Sequence, residues 1–268
     1  MKITYRNNNK RKNKNTVKAF IVILILVACA VSPSIKDEFF PREKDFGQIT
    51  EQEHHINASD KDNNDGEMKS EDSNHSNIQE VSPYSIVKNN SPDFSKSELE
   101  RAKKSYKKFS ELDSLGRCGT AIASIGKDSL PTEKRGSIGM VKPSGWHTIR
   151  YDDLISDKYL YNRCHLIAYC LSGENANEKN LITGTRYMNV SGMLPFEEKV
   201  LDYVAKTGNH VLYQVTPDFK GDNLVASGVY MKAKSVEDNG KGLSFNVYVK
   251  NQQPGIKIDY KTGDSERL

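Results

Sequence analysis

The chain has 268 residues, of which 36% are hydrophobic and 28% are charged, so it has room for one or two domains of ordinary size. Its formal net charge of +4 is unevenly distributed. Residues 1–18 carry seven basic side chains and no acidic one, residues 36–98 carry a net charge of −8, and residues 99–268 carry +5. A net charge of +5 is weak for a protein that binds nucleic acid by charge alone, and the pattern predicts a basic leader, an acidic middle and a folded C-terminal part.

The leader, residues 1–30, has the organisation of an export signal. Its basic start is followed by an apolar run at 19–31, which is short for a membrane span and typical of a signal-peptide core. Three fates stay open: lipidation of Cys29 at a bacterial lipobox, cleavage at Ala28-Cys29-Ala30 to release a soluble product, or retention as an uncleaved membrane anchor. Each predicts a location at the extracellular face of a bacterial cell, either membrane-anchored or secreted.

Residues 31–98 are rich in Asp, Glu, Asn and Ser, and contain no aromatic residue between Phe46 and Tyr84. Such a segment buries too little apolar surface to offset the entropy of ordering it. We therefore predict a disordered acidic tether. The pair His54 and His55 is better explained as an incidental polar pair than as a metal site.

The folded domain is predicted to occupy residues 99–268. Ser97 and Glu100 have the spacing of a capping box, and apolar residues recur at roughly helical spacing from Leu99 to Phe109. A short apolar strand is predicted at 120–125. The only tryptophan, Trp146, is expected to be a core residue, with base stacking as the alternative.

The C-terminal half predicts one helix and three strands. Apolar residues recur with helical period from Phe196 to Val204, and Gly208 marks the end of that helix. Strands are predicted at 210–217, 224–236 and 243–249, separated by turn residues. There is no internal repeat and no βαβ alternation of the kind that indicates a dinucleotide fold. The fold class is therefore α+β, with a central, mostly antiparallel sheet flanked by helices.

The cysteines leave the redox state open. Besides Cys29, the chain has Cys118, Cys164 and Cys170, an odd number for an exported protein. One disulfide with one free thiol, or no disulfide, are both compatible with this count. The spacing of Cys164, His165 and Cys170 is a poor match to a zinc site.

The candidate catalytic, substrate-binding and metal-binding residues are concentrated at 161–199. His165 is the natural general base, because its ordinary pKa near 6.5 leaves the imidazole largely neutral at pH 7. Arg163 lies two residues earlier, on the same side of an extended strand, where a guanidinium can hold a phosphate oxygen. A hydrogen-bonded structural histidine is the alternative interpretation.

Four amides in or after this strand, Asn175, Asn177, Asn180 and Asn189, offer oxygen ligands for a hard cation such as Mg²⁺. Each of them could equally form a turn, and periodicity cannot choose among the four. Glu197 has two interpretations as well, since a glutamate in the first turn of a helix also stabilises the helix dipole.

The stretch Asn162-Arg163-Cys164-His165 resembles the Asp-Arg-Gly-His signature of the DNA/RNA non-specific endonucleases, which are ββα-metal nucleases. Further segments, from GRCGTAIASIGKDSLPTEKRGSIGMVKPSGW through NLITGTRYMNVSGMLPFEEKV to NQQPGIKIDY, are similar to the exported Gram-positive branch that includes streptococcal DNases. The similarity covers about 115–263. Asn162 and Cys164 depart from the wider signature, and Gln214 stands where the branch leads us to expect arginine.

The resemblance implies a ββα-metal fold and a metal-dependent endonuclease that hydrolyses DNA, with RNA as an alternative substrate. It implies that His165 is the base, that Asn189 holds Mg²⁺ (or Mn²⁺), and that Glu197 supports the ion's water shell. Substrate contacts fall to Arg163, Asn180 and Arg186, and Arg163 also stabilises the transition state.

The rival class is a surface DNA receptor with a nuclease-like domain that is weakly active or inactive, for which Gln214 would be the main argument. Retention of His165, Asn189 and Glu197 together argues against it, because a receptor needs neither a base nor a metal ligand.

Overall fold

A computed structural model describes residues 82–268. The leader, Cys29, the histidine pair and most of the predicted tether lie outside these residues. Within the described part, no helix has the length and apolar character that a bilayer span requires. Besides short 3-10 helices at Lys88–Asn90, Lys127–Ser129 and Glu178–Asn180, the helices are α1 (Lys96–Arg101), α2 (Tyr169–Ser172), a π-helix (Met188–Met193) and α3 (Leu194–Thr207). The strands are β1 (Tyr84–Ile86), β2 (Tyr106–Phe109), β3 (Ala121–Ile125), β4 (Tyr161–His165), β5 (Leu181–Thr185), β6 (Val211–Pro217), β7 (Gly228–Ser235), β8 (Ser244–Lys250), β9 (Ile256–Ile258) and β10 (Ser265–Arg267).

The body of the domain is a six-stranded sheet with the order β1-β8-β7-β6-β3-β2, in which every neighbouring pair is antiparallel. Two small antiparallel sheets, β4-β5 and β9-β10, lie beside it. Strands β6, β7 and β8 confirm the three C-terminal strands of the sequence analysis, and β3 confirms the strand near 120. The α+β class with a mostly antiparallel sheet is therefore confirmed.

The main core fills the space between one face of this sheet and α3. On α3, Phe196, Val200 and Val204 are buried at the predicted helical spacing, and Gly208 ends the helix in the left-handed conformation, with φ of 76°. They pack against alternate residues of β6 such as Tyr213 and Val215. The apolar stripe predicted from the sequence thus lies on α3, the helix that carries Glu197.

The predicted long helix from 99 to 109 is wrong in its extent. The helix spans only Lys96–Arg101, and its capping box is formed by Ser95 and Glu98, two residues before the predicted pair. The following apolar residues lie on β2, which pairs with β3 in register Tyr106↔Ser124. Strand pairing outweighs the weak helical pattern, because Tyr106 and Phe109, three residues apart, lie on opposite faces of β2 and each packs against a different apolar cluster.

The folded body also begins earlier than composition indicates. β1 pairs with β8 and forms one edge of the sheet, and the Tyr84 ring packs edge-on against Phe196 with centroids 5.0 Å apart. Asp93 bridges Lys88 and Lys232. Residues 82–98 are therefore part of the folded body and not of the tether, although they share its polar composition.

Candidate active site

A cleft of about 450 Å³ lies where the end of β4 faces the π-helix and the first turn of α3. Its lining includes six charged or polar side chains that could act on a substrate or hold a cation: Arg135, Arg163, His165, Arg186, Asn189 and Glu197. Five of these six are site residues predicted from the sequence. They come from β4, the residue after β5, the π-helix and α3, with Arg135 in an irregular segment, so only the folded chain brings them to one place.

The His165 ring is held in one tautomer. It is 7% exposed, and its Nε2 lies 2.8 Å from the backbone oxygen of Asn175. A carbonyl oxygen can only accept, so Nε2 carries the hydrogen and Nδ1 keeps its lone pair. The guanidinium Nη2 of Arg135 lies 3.4 Å from that Nδ1. The ring therefore presents a proton acceptor to the cleft beside a cation.

The pKa of His165 is lowered to about 4, mainly by burial; the Asn175 carbonyl opposes the shift and the charge of Arg135 adds to it. The imidazole is consequently neutral at pH 7. This is the protonation state in which a histidine can take a proton from water.

The π-helix and α3 are continuous and carry Asn189 and Glu197 on their cleft side. The backbone N–H of Leu194 donates to the oxygen of Asn189, five residues earlier, which is the wide π spacing. Gly192 allows this turn to approach β8, since a Cβ there would collide with the side chain of Val249. Widened helical turns of this kind are frequent at functional sites.

Asn189 and Glu197 both line the cleft and offer it oxygen atoms of the kind that a hard cation takes. Neither side chain has a hydrogen-bond partner among residues 82–268, although Glu197 is only 7% exposed. Burial raises the pKa of Glu197 to about 8, and the charge of Arg135 reduces the shift. A buried carboxylate and a carbonyl oxygen without partners are ligands of the kind that Mg²⁺ prefers.

Arg163 lies in the cleft, but much of its guanidinium is already in use. It donates from Nε to the backbone oxygen of Val141 and from Nη2 to that of Gly139, at 2.9 Å for the second. Its plane stacks on Trp146, with the guanidinium carbon 3.9 Å from the ring centroid. Arg163 thus fixes the 139–146 loop as a wall of the cleft.

Trp146 packs against a small apolar cluster that includes Tyr151 and Leu160. This agrees with the predicted core role, although the indole also lines the cleft. Its ring face toward Arg163 is occupied by the guanidinium, so base stacking on that face would require Arg163 to move.

Arg186 forms an ion pair with Asp157, with 3.0 Å between its Nε and a carboxylate oxygen. Arg135 was not predicted. It lies in an irregular, turn-rich segment without periodicity, and its Lys134-Arg135 doublet is the one sequence signal that could have indicated it. Arg135 contacts the His165 ring, whereas the guanidinium of Arg163 donates to the backbone of the 139–146 loop and that of Arg186 pairs with Asp157.

Asn180 does not fit the predicted contact with substrate. It is fully buried, and its amide is consumed by one residue: Oδ1 accepts from the Ile167 N–H at 2.8 Å and Nδ2 donates to the Ile167 oxygen at 2.9 Å. This pair closes the base of the loop between β4 and β5. Asn180 therefore supports the loop beside the cleft and does not line the cleft itself.

Gln214 lies on the sheet face that points away from the cleft. It alternates with Tyr213 and Val215, which face the main core, and its Nε2 is 3.3 Å from the Thr216 hydroxyl. The replacement of an expected arginine at this position thus leaves the cleft unchanged.

Cys118, Cys164 and Cys170 are all buried and all free, so the alternative without a disulfide holds for the described residues. Burial raises the pKa of the Cys118 thiol to about 12 and that of Cys164 further. Between residues 82 and 268 no three His, Cys, Asp or Glu side chains cluster as a metal site. Any cation in the cleft would rely on Asn189 together with Glu197.

The chain is similar to known nucleases in both sequence and fold. Residues 96–237, more than half of the chain, match the model of the DNA/RNA non-specific endonuclease family. The fold is similar to NucA from Streptococcus agalactiae solved with a magnesium ion, with 25% identity and a TM-score of 0.61 over 71% of this chain and 89% of that one. The same nuclease solved without metal gives 26% and 0.60.

The Sda1 nuclease, solved with a zinc ion, is 26% identical with a TM-score of 0.56, over 70% of this chain and 96% of that one. These similarities confirm the predicted ββα-metal nuclease fold. The match to the family model and the likeness to two nucleases point the same way: the chain belongs to the DNA/RNA non-specific endonuclease family.

Proposed function

We propose that this nuclease is a metal-dependent endonuclease that hydrolyses phosphodiester bonds of DNA without sequence preference, with RNA as an alternative substrate. The observation that carries the proposal is the pairing of a neutral His165, whose Nδ1 is an acceptor, with the unpartnered oxygens of Asn189 and Glu197 in one cleft. A general base that takes a proton from water and a cation that stabilises the phosphate charge are the two things this hydrolysis needs from the site.

In this proposal Nδ1 of His165 takes the proton from the attacking water. The Asn175 carbonyl keeps the ring aimed and accepts a stronger hydrogen bond once the imidazole becomes charged. Because burial disfavours the imidazolium, the proton is passed on readily to solvent or product after the bond is cleaved.

Asn189 and Glu197 would hold the divalent cation. We propose Mg²⁺, with Mn²⁺ as an alternative; the similar NucA was solved with magnesium and the similar Sda1 with zinc. A bound divalent cation stabilises negative charge on the phosphate and on the leaving oxygen. The carboxylate of Glu197, which burial keeps protonated in the metal-free chain, is then stabilised in its ionised form.

The cations in the cleft would bind phosphate. Arg135 is placed to contact a phosphate next to the base, while Arg163 and Arg186 keep their present partners and frame the groove. Contacts limited to phosphate and sugar position a protein without reading bases, which explains the lack of sequence preference. Binding should weaken with salt, because each phosphate contact releases counterions.

The receptor alternative loses its main argument, since Gln214 faces away from the cleft. We also propose export, with the nuclease domain held at the extracellular face of the cell or secreted. That proposal rests on the leader sequence alone, including Cys29 as the candidate lipidation site and a membrane anchor as the alternative.

The decisive experiment is digestion of plasmid DNA by the full-length chain with Mg²⁺, with Mn²⁺ and with EDTA. Wild type should cleave only with a metal, and His165→Ala should lose about 100-fold to 10,000-fold in rate because the general base is removed. Asn189→Ala should need more metal for the same rate. His147→Ala, a half-exposed histidine outside the cleft, is the matched control. Absence of cleavage with any divalent metal, by a folded protein that still retards DNA, would favour the receptor.

A further inference from the structure

Lys107 reaches across the molecule toward the loop beneath the catalytic base. It lies on edge strand β2 opposite the buried Ala123, so its side chain points to the inner face of the sheet. Its Nζ donates to the backbone oxygen of Ser172 at 2.9 Å and lies 2.6 Å from a carboxylate oxygen of Glu174. These contacts bracket Gly173, where the chain turns with φ of 68°.

The ion pair is next to the atom that orients His165. Glu174 immediately precedes Asn175, whose backbone oxygen accepts the Nε2 hydrogen of His165. The other carboxylate oxygen of Glu174 accepts from Asn177 at 3.3 Å, so the carboxylate is held from both sides. The side chains of Lys107 and Glu174 are 34% and 25% exposed, which makes the pair partly shielded from solvent.

Asn175 also connects this loop to the segment that carries Arg135. Its Nδ2 donates to the backbone oxygen of Ser137 at 3.2 Å, two residues from the arginine whose guanidinium lies beside Nδ1 of His165. Both ring nitrogens of His165 therefore depend on where residue 175 lies. The Lys107 contacts tie that loop directly to the edge strand β2 of the sheet.

We propose that Lys107 is a positioning residue for catalysis: through Glu174 and Ser172 it holds the Asn175 carbonyl under His165 and so fixes the tautomer and aim of the base. This inference rests on the proposed function of His165. A purely structural tie between β2 and α2 would make the same contacts but would affect stability alone, and the two can be separated by kinetics.

The test uses Lys107→Met in the full-length chain, which removes the charge and keeps most of the stem. We expect kcat on DNA to fall about tenfold, because a misaimed base loses part of its contribution, while KM changes by less than about twofold. Lys107→Arg should recover much of the rate, and Glu174→Gln should reproduce the loss. Lys108→Met is the matched control, because that neighbouring side chain is exposed on the opposite face of β2.

Two further measurements decide how Lys107 acts. In the His165→Ala background, Lys107→Met should cause no additional loss, because the base it positions is absent. Long-range ¹H–¹⁵N spectra of the histidine rings should show His165 with hydrogen on Nε2 in wild type and a mixture of tautomers in Lys107→Met.

If Lys107→Met has the kcat of the Lys108→Met control while wild type cleaves and His165→Ala does not, the positioning role is refuted and the nuclease proposal stands. If wild type fails to cleave, the proposed function is wrong, and the ring spectra still decide: an unchanged tautomer in Lys107→Met overturns the inference. A loss of rate matched by an equal loss in the His165→Ala background also contradicts it.

Discussion

Glu197 and His165 should make opposite contributions to the pH dependence of folding. Burial raises the pKa of Glu197 to about 8 from an ordinary value of 4.5, so the folded chain keeps this proton to a higher pH than the unfolded chain. Stability is therefore lost as the pH rises from 4.5 toward 8. Burial lowers the pKa of His165 from 6.5 to about 4, so the unfolded chain binds this proton first and stability is lost as the pH falls from 6.5 toward 4.

The magnitudes follow from linkage, in which a difference of one bound proton changes the free energy of unfolding by about 1.4 kcal/mol per pH unit. From pH 5 to pH 7, Glu197 should lower the free energy of unfolding by about 2 to 3 kcal/mol, and His165 should raise it by about 2 kcal/mol. The two effects nearly cancel in wild type, so these two groups leave its stability almost constant across this interval.

The substitution Glu197→Gln removes one of the two opposing contributions, so the pH dependence that His165 gives to the free energy of unfolding becomes measurable. The amide imitates the protonated acid, so the variant should match wild type at pH 5 within about 1 kcal/mol and then gain about 2 kcal/mol by pH 7. His165→Gln should do the reverse and lose about 2 to 3 kcal/mol over the same range. Urea unfolding in EDTA, followed by fluorescence of Trp146, the single tryptophan, measures all three proteins. A Glu197→Gln variant as flat as wild type would show that the carboxylate titrates normally, and would refute the reasoning.

Two further predictions concern residues outside the chemistry. Asn180→Ala should lower the free energy of unfolding by about 2 to 4 kcal/mol, because it leaves the buried N–H and C=O of Ile167 unpaired, and urea unfolding should show this loss. A DNA-binding defect without a loss of stability would instead restore Asn180 as a substrate contact. Tyr84→Ala should cost about 1 kcal/mol by removing the edge-on contact with Phe196, and a shift of the thermal midpoint should report it. An unchanged midpoint would mean that β1 adds nothing to the folded body.

The elements that the sequence predicted well are those whose pattern is local and strong. The period from Phe196 to Val204 with Gly208 behind it predicts α3, since a helix places these residues on one stripe whatever lies opposite. The alternation of apolar and other residues in β6 and β8 predicts strands, because successive side chains of a strand point to opposite faces of the sheet. The failure at 99–109 arose where the pattern was weak and the outcome depended on pairing with β3, a partner more than ten residues away.

The candidate site divides in a similar way. Its residue types, His165, Asn189 and Glu197, are determined by the sequence, and the resemblance to a family chose Asn189 among four similar amides. Composition could not separate Asn180, which is buried against Ile167, from Asn189, whose amide faces the cleft without a partner. A hydrogen bond of a buried side chain produces no periodic pattern in the sequence, so the sequence does not reveal which amide is buried.

The sequence by itself determined that this chain carries His165, Asn189 and Glu197, the candidate base, oxygen ligand and carboxylate, together with an α+β fold to hold them. Only the tertiary structure decided what surrounds His165. In the folded chain the Asn175 carbonyl lies on one side of the His165 ring and Arg135 on the other. Lys107 extends from the edge strand of the sheet to Glu174. These groups are backbone atoms and side chains far apart along the chain, so their positions follow from packing and strand pairing and not from any local pattern.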